Sequence, residues 1–158
     1  MLKKILCATG LCLALLHSAP TAALTLSEAQ GMAVGDSDAR IAALNKAVTA
    51  ADDKTAAFIQ ALADDAVKTA GGSVFVVRDG KTTDPVSGQA LTLPDGAEDV
   101  ISNNSMRGEL YGAQAVLKLF SKNDKLRAEA IASMLKDPDE SKLALLEKAL
   151  ALETNPVF

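Results

Sequence analysis

The chain reads as a mainly α fold of HEAT-like helical hairpins with a small β-hairpin or sheet insert at about residues 73–94. Three observations predict this. Apolar residues recur at helical spacing through two separate stretches, 36–70 and 104–152. Between them the pattern shifts to short β-type runs punctuated by glycine and proline. Alanine is abundant, which suits closely packed helices.

The first segment, residues 1–23, has the three parts of a secretory signal peptide. Lys3 and Lys4 form a positive start, Ile5 to Leu16 an apolar stretch, and His17 to Ala23 a small polar exit. Thr21 and Ala23 stand at the small-residue positions of a cleavage site before Leu24. The apolar stretch is too short to span a bilayer, for which about 20 residues are needed. Cleavage removes both cysteines, Cys7 and Cys12, and the only histidine. Cys12 follows Leu11, where a lipoprotein signal would place a small residue. The remaining 24–158 is expected to be one helical domain, exported and held together by its core, without disulfides.

Thr25 or Ser27 caps a first short helix that Gly35 ends. Asp36-Ser37-Asp38 caps the next, with Ile41, Leu44 and Val48 at helical spacing. Asp52-Asp53 breaks it and starts a third, whose stripe is Ala56, Ile59, Leu62, Ala63 and Val67, with Phe58 adjoining. Gly71-Gly72 is read as its stop. Val74 to Val77 is a β-type run before an Asp79-Gly80 turn. A second turn follows at Val86-Ser87-Gly88, then Ala90 to Leu93, closed by Pro94-Asp95-Gly96. Helical spacing returns from about Asn104 to Phe120, with Met106, Leu110, Ala113, Leu117 and Phe120 inward. Asn123-Asp124 caps a helix whose stripe is Ala130, Ile131, Met134 and Leu135. Asp137-Pro138-Asp139 connects it to a helix from about Glu140 to Leu152 carrying Leu143, Leu146 and Leu150. Glu153-Thr154-Asn155-Pro156 reads as a further helix start, so the chain is expected to be the N-terminal part of a longer protein.

A repeat is visible. With Arg40 aligned on Arg127, Ala43 meets Ala130, Leu44 meets Ile131 and Val48 meets Leu135. In the same register Asp52-Asp53 meets Asp139-Glu140, and Phe58-Ile59 meets Leu145-Leu146.

Composition narrows the chemistry. Without His or Cys, residues 24–158 offer neither a nucleophile–histidine arrangement nor the usual zinc ligands. Gly71-Gly72-Ser73 lacks the spacing and lysine of a phosphate loop. The carboxylate pairs Asp52-Asp53, Asp64-Asp65 and Glu98-Asp99 sit where turns and solvated helix faces explain them. The formal charge of -4 offers no basic patch for nucleic acid or an anionic membrane. Aromatic residues at 3% make sugar or base stacking unfavourable. The expected protein is not an enzyme and carries no cofactor or metal.

Asp36-Ser37-Asp38 begins like a calcium loop, but Arg40 takes the next ligand position and no glycine follows, so capping is the reading. Asn103-Asn104-Ser105 matches a glycosylation sequon, and capping again suffices. Arg78-Asp79-Gly80-Lys81 is a hairpin tip. Arg78, Lys81, Arg107 and Glu109 are the candidate partner-surface residues, against the simpler reading of solvated charges.

Longer strings carry a resemblance. They are Gly35-Asp-Ser-Asp-Ala-Arg-Ile-Ala-Ala-Leu-Asn-Lys-Ala-Val48, Thr55-Ala-Ala-Phe-Ile-Gln-Ala-Leu62, Val76-Val-Arg-Asp-Gly-Lys81, Asn103-Asn-Ser-Met-Arg-Gly-Glu-Leu110, Asp137-Pro-Asp-Glu-Ser141 and Glu153-Thr-Asn-Pro156. With the exported Ala-rich leader, these resemble the N-terminal extracytoplasmic region of the urea-type ABC transporter permease, of the branched-chain amino-acid permease class. The resemblance implies a urea or amide importer, in which this region precedes membrane helices. It implies as partners a second permease, cytoplasmic ATPases engaged by the full-length protein, and a periplasmic binding protein. It implies a place on the periplasmic face, tethered to the inner membrane. No transmembrane segment follows the leader here, so no functional residue of that family carries over. The alternative is a freestanding periplasmic scaffold or adaptor.

Overall fold

A computed structural model describes residues 23–136 and 143–158. The expected signal peptide, residues 1–23 apart from Ala23, and the expected connection Asp137-Pro138-Asp139 with Glu140 lie outside the described residues. Mainly helical chain surrounds a small antiparallel sheet. In order come α1 (Leu26–Ala33), α2 (Ser37–Val48), α3 (Asp53–Ala63), β1 (Val67–Ala70), β2 (Ser73–Arg78), β3 (Lys81–Thr83), β4 (Ala90–Leu91), β5 (Glu98–Asp99), α4 (Asn104–Leu119), α5 (Asp124–Lys136) and α6 (Leu143–Leu152).

Local capping chemistry sets the helix starts. The Thr25 and Glu28 side chains form a reciprocal capping box at α1. Asp36, Asp52 and Asn103 each accept a backbone N–H from the first turn of α2, α3 and α4. Asp36 and Asn103 are thus caps, as their sequence context predicts.

The end of α3 differs from the sequence reading. Val67 does not continue the helical stripe, and Gly71-Gly72 does not stop the helix. Asp65 takes a left-handed conformation (φ 52°). The Ala66 N–H then donates to the Ala61 carbonyl at 2.8 Å, and the Asp65 N–H to Leu62 at 3.3 Å. This is the paired closure of a Schellman motif, and it turns the chain into β1. Gly71 and Gly72 (φ 55° and 81°) form the two-residue turn between the paired residues Ala70 and Ser73. Two successive positive φ values are what a tight hairpin turn needs, and glycine meets them without strain.

The β insert is therefore larger than 73–94. It spans Val67 to Asp99, with five strands in the order β4-β3-β2-β1-β5. The first four strands form a meander, and β5 returns to the free side of β1. Val67 pairs with Val76 and Thr69 with Val74. This register turns Val67 and Val74 into the core, where both are buried with Val100.

One large cluster and one small cluster make up the interior. The large one joins Leu24, Met32, Leu44, Phe58, Ile59 and Leu62 to the sheet and to Met106, Leu110 and Ala113 of α4. Each fully buried side chain of this size contributes about 1.5–3 kcal/mol relative to exposure. The small cluster centres on Leu119, Ala130 and Met134, with Leu145, Leu146 and Ala149 of α6 packed against it. Helix α4 serves both: Met106, Leu110, Ala113 and Leu117 pack on the large cluster over α2 and α3, while Ala115 and Leu119 belong to the small one.

Three leucines of the second helical stretch differ from the sequence reading. Leu135, Leu143 and Leu150 are not inward, being 74%, 57% and 70% exposed. A stripe marks which face is apolar but not whether anything covers it. Phe120, the C-cap of α4, and Leu117 are half-buried and do face inward, packed against the small and the large cluster respectively. At residues 155–158 the chain makes a turn, in which the Asn155 side chain accepts the Val157 N–H at 3.0 Å and its backbone carbonyl accepts the Phe158 N–H at 3.2 Å, the hydrogen bonds of a helix cap. Asn155 also donates to Asp124 at 2.9 Å.

Arg40 fixes the junction of three elements. It is 5% exposed; its Nε donates to the Met32 carbonyl at 3.0 Å and Nη1 to the Ile101 carbonyl at 2.9 Å. Met32 lies in the last turn of α1, where a cation is favoured by the helix dipole. Burial lowers the guanidinium pKa from its ordinary value. The arginine thus joins α1 and α2 to the strand exit before α4.

Candidate functional site

The corner between α3 and β1 brings together two of the four candidate residues. Helix α3 ends on adjacent carboxylates that diverge, because Asp64 is the C-cap and Asp65 takes the left-handed turn. Arg78, at the end of β2, donates Nη2 to Asp64 at 2.8 Å. Arg107, in the first turn of α4, reaches Asp65 with both carboxylate oxygens at 3.0 and 3.1 Å. Its Nε also donates to the Ser102 carbonyl at 3.2 Å. Two arginines from distant segments thus clamp one helix end, each on its own carboxylate. All four side chains keep 40% or more of their surface in water. Each pair therefore contributes about 0–1 kcal/mol.

Polar contacts extend from this corner. Gln60 donates to Asp64 at 2.8 Å and accepts from Gln114 of α4 at 2.9 Å. Asp64, Gln60 and Gln114 thus run as a ladder from the corner onto α4. Lys81 lies directly across from Arg78 in the β2–β3 register, exposed beside the Asp79-Gly80 turn (φ 50° and 72°). Glu109 is exposed on α4, two residues from Arg107. Residues two apart on a helix do not share a face, so Glu109 stands away from the corner.

Beside the corner lies a groove of about 440 Å³ between α3 and the β2–β3 region. Its walls include Lys54, Phe58, Val76, Arg78, Asp84 and Val86. Lys54 closes one side by donating to the Val86 carbonyl at 2.5 Å. Asp84 accepts from the Ser87 N–H at 2.6 Å, the Val86 N–H at 3.0 Å and the Ser87 hydroxyl at 2.9 Å. The Ser87 N–H chiefly holds the Asp84 carboxyl below its usual range. The groove pairs an apolar floor with walls of mixed charge, Lys54 and Arg78 together with Asp84.

The sequence points to Arg78 and Arg107 as surface charges and to Asp64-Asp65 as a turn or solvated face, but not to their pairing, nor to Gln60 and Gln114. One signal was present: two carboxylates directly before Ala66-Val67, where a helical stripe changes to a β-branched residue. Among the described residues, no group of three or more His, Cys, Asp or Glu side chains converges as a metal site. Among them, too, no helix is long and apolar enough to cross a membrane.

At the far end of the molecule, Arg127 of α5 holds Glu153 bidentately, Nε at 2.7 Å and Nη2 at 3.0 Å. Arg127 also donates to the Ser121 carbonyl at 2.9 Å and to Asp124 at 2.9 Å. Hydrogen bonds from Arg127 hold the Glu153 carboxyl down to about 2.

No protein-family model, curated protein or solved structure matches the chain.

Proposed function

We propose that this chain is a non-catalytic extracytoplasmic domain of a urea or amide ABC-importer permease, serving transport by protein–protein contact. The observation that carries the reading is that the strings of the resemblance meet in space. Asn103 donates to the Ser37 hydroxyl at 2.8 Å, joining two strings at the start of α2 and α4. Arg40 reaches the carbonyl of Ile101, just before the second of these. The string Thr55–Leu62 supplies Phe58, Ile59 and Leu62 to the core, beside Met106 and Leu110 of Asn103–Leu110. The resemblance therefore rests on residues that build the framework rather than on scattered surface positions. The corner of Asp64, Asp65, Arg78 and Arg107 is the contact surface this reading favours, with Lys81 beside it.

The finer description of the fold, two related HEAT-like helical hairpins, belongs to the same proposal. The alignment of Arg40 on Arg127 supports it. In that register Leu44, Ala47, Phe58, Ile59 and Leu62 fall on Ile131, Met134, Leu145, Leu146 and Ala149. The first five belong to the large cluster and the second five to the small one. Both arginines also donate to carbonyls at the end of the preceding helix, Met32 and Ser121.

An immunoblot of fractionated cells, with antibody against residues 24–158, tests the functional reading. A much larger band in the inner-membrane fraction is expected. A small periplasmic band alone would overturn it and leave the freestanding adaptor.

A further inference from the structure

We infer that the junction of α1, α2 and α4 is a binding site for a small monovalent anion of the halide class, held by the Arg40 guanidinium and the Ser102 hydroxyl. Both residues are 5% exposed. Among the described residues, Arg40 Nη2 and Ser102 Oγ are buried without a hydrogen-bond partner. The two residues meet at one peptide: Arg40 Nη1 donates to the Ile101 carbonyl at 2.9 Å, and Ser102 follows Ile101 directly. Each of these two groups has a hydrogen to donate, so one ligand serving both must accept twice. Buried polar groups are nearly always partnered, so two side by side point to a ligand.

Charge decides the kind of acceptor. A guanidinium withdrawn from water is costly unless an opposite charge faces it. Arg40 donates only to the neutral carbonyls of Met32 and Ile101, and among the described residues it pairs with no carboxylate. Arg127 shows what such a group takes where acids are at hand. Beyond the Ser121 carbonyl, its N–H groups meet the carboxylates of Glu153 and Asp124. The helix ends at the junction do not supply the missing charge. Met32, in the last turn of α1, brings about half a negative unit. Asn103 Nδ2 donates to Ser37 Oγ at 2.8 Å, which sets the N-termini of α2 and α4 side by side, and each brings about half a positive unit. The nearby acids are engaged elsewhere: Asp36 accepts the Ala39 N–H, and Asp65 holds Arg107. A water would satisfy the two donors and leave the charge uncompensated, whereas an anion does both. Because both donor atoms are enclosed, the anion must be small. Ile101, 78% exposed, places the junction just beneath the surface and within reach of solvent ions.

The test uses the purified full chain with sodium bromide as the probe. Crystals grown in bromide should give an anomalous peak in contact with both Arg40 Nη2 and Ser102 Oγ. In solution the melting temperature should be at least ~3 °C higher in bromide than in gluconate of the same ionic strength, because gluconate is too large to enter and an ion bound to the folded state stabilises it. Ser102→Ala removes a hydroxyl that has no other partner, so this variant should fold and lose at least half of that difference. A water at the position, bromide only at exposed lysines (an adventitious ion only), equal melting temperatures in the two salts, or full bromide dependence in Ser102→Ala would each overturn the inference. The importer reading stands or falls separately, by the fractionation experiment.

Discussion

Leu44 and Ile131 occupy matching positions in two clusters of unequal cover, so one chemical deletion should have two different costs. Leu44→Ala and Ile131→Ala remove the same number of carbons. Leu44 is 0% exposed in the large cluster, enclosed by its neighbours on α1, α2 and α4. Its truncation loses the transfer energy of the removed atoms and opens a cavity that the surrounding helices relax into only partly, about 3–4 kcal/mol. Ile131 is half-buried on the edge of the small cluster. Water reaches part of it in the folded state, and a site open on one side leaves little cavity, so the loss is about 1–2 kcal/mol. For a domain of this size 1 kcal/mol moves the melting temperature by about 3–4 °C. The expected drops are therefore about 9–16 °C for Leu44→Ala and about 3–8 °C for Ile131→Ala. Thermal unfolding followed by far-ultraviolet circular dichroism measures both. Equal drops, or a larger one for Ile131→Ala, would refute the claim that the second unit is less covered.

Arg40→Met should destabilise by about 2–4 kcal/mol, because the Met32 and Ile101 carbonyls lose a charged donor while the relieved burial of charge offsets part of the loss; a urea midpoint at or above that of the unaltered chain would contradict this. Glu153 titrates near 4.5 unfolded and about 2 folded, so its contribution is fully present above about 4.5 and lost as pH falls toward 2. The difference in melting temperature between the unaltered chain and Glu153→Gln should shrink steadily between pH 5 and 2; a difference that stays constant would deny the pairing. Gly72→Val should cost about 1–2 kcal/mol, since a β-branched residue is forced to a φ of 81° in the β1–β2 turn; an unchanged denaturation midpoint would argue against that turn. Chelator and reductant together should leave the helical circular dichroism signal of residues 24–158 unchanged, and its collapse would mean that a metal or a disulfide holds the fold.

Where an instruction is local, the sequence could be read directly. Thr25, Asp36, Asp52 and Asn103 each cap a helix through a residue three positions on, so the start of each helix is written beside it. The end of α3 is different. Ile59, Leu62 and Ala63 run at helical spacing into Val67, and only the two carboxylates Asp64-Asp65 in that window hint at the break. The break is made by Asp65 in a left-handed conformation that glycine usually supplies. The carboxylate that glycine would lack is held by Arg107, a residue 42 positions on. Gly71-Gly72 suits a helix stop and a hairpin turn equally, and only the pairing of Ala70 with Ser73 decides between them. Arg78 and Arg107 could be named as charges, but the aspartate that each meets depends on the same long-range closure.

The exposed leucines follow a related logic on a larger scale. Periodicity in α5 and α6 states correctly that Leu135, Ile131, Leu146 and Leu150 share an apolar character, as Val48, Leu44, Ile59 and Ala63 do in α2 and α3. What separates the two sets is one helix. Because α4 gives Met106, Leu110, Ala113 and Leu117 to the large cluster, only Ala115 and Leu119 are left for the small one. In the register that aligns Arg40 with Arg127, Leu119 and Phe120 fall on Met32 and Ala33 of α1, and among the described residues no helix covers Leu135 and Leu150 as α4 covers α2 and α3.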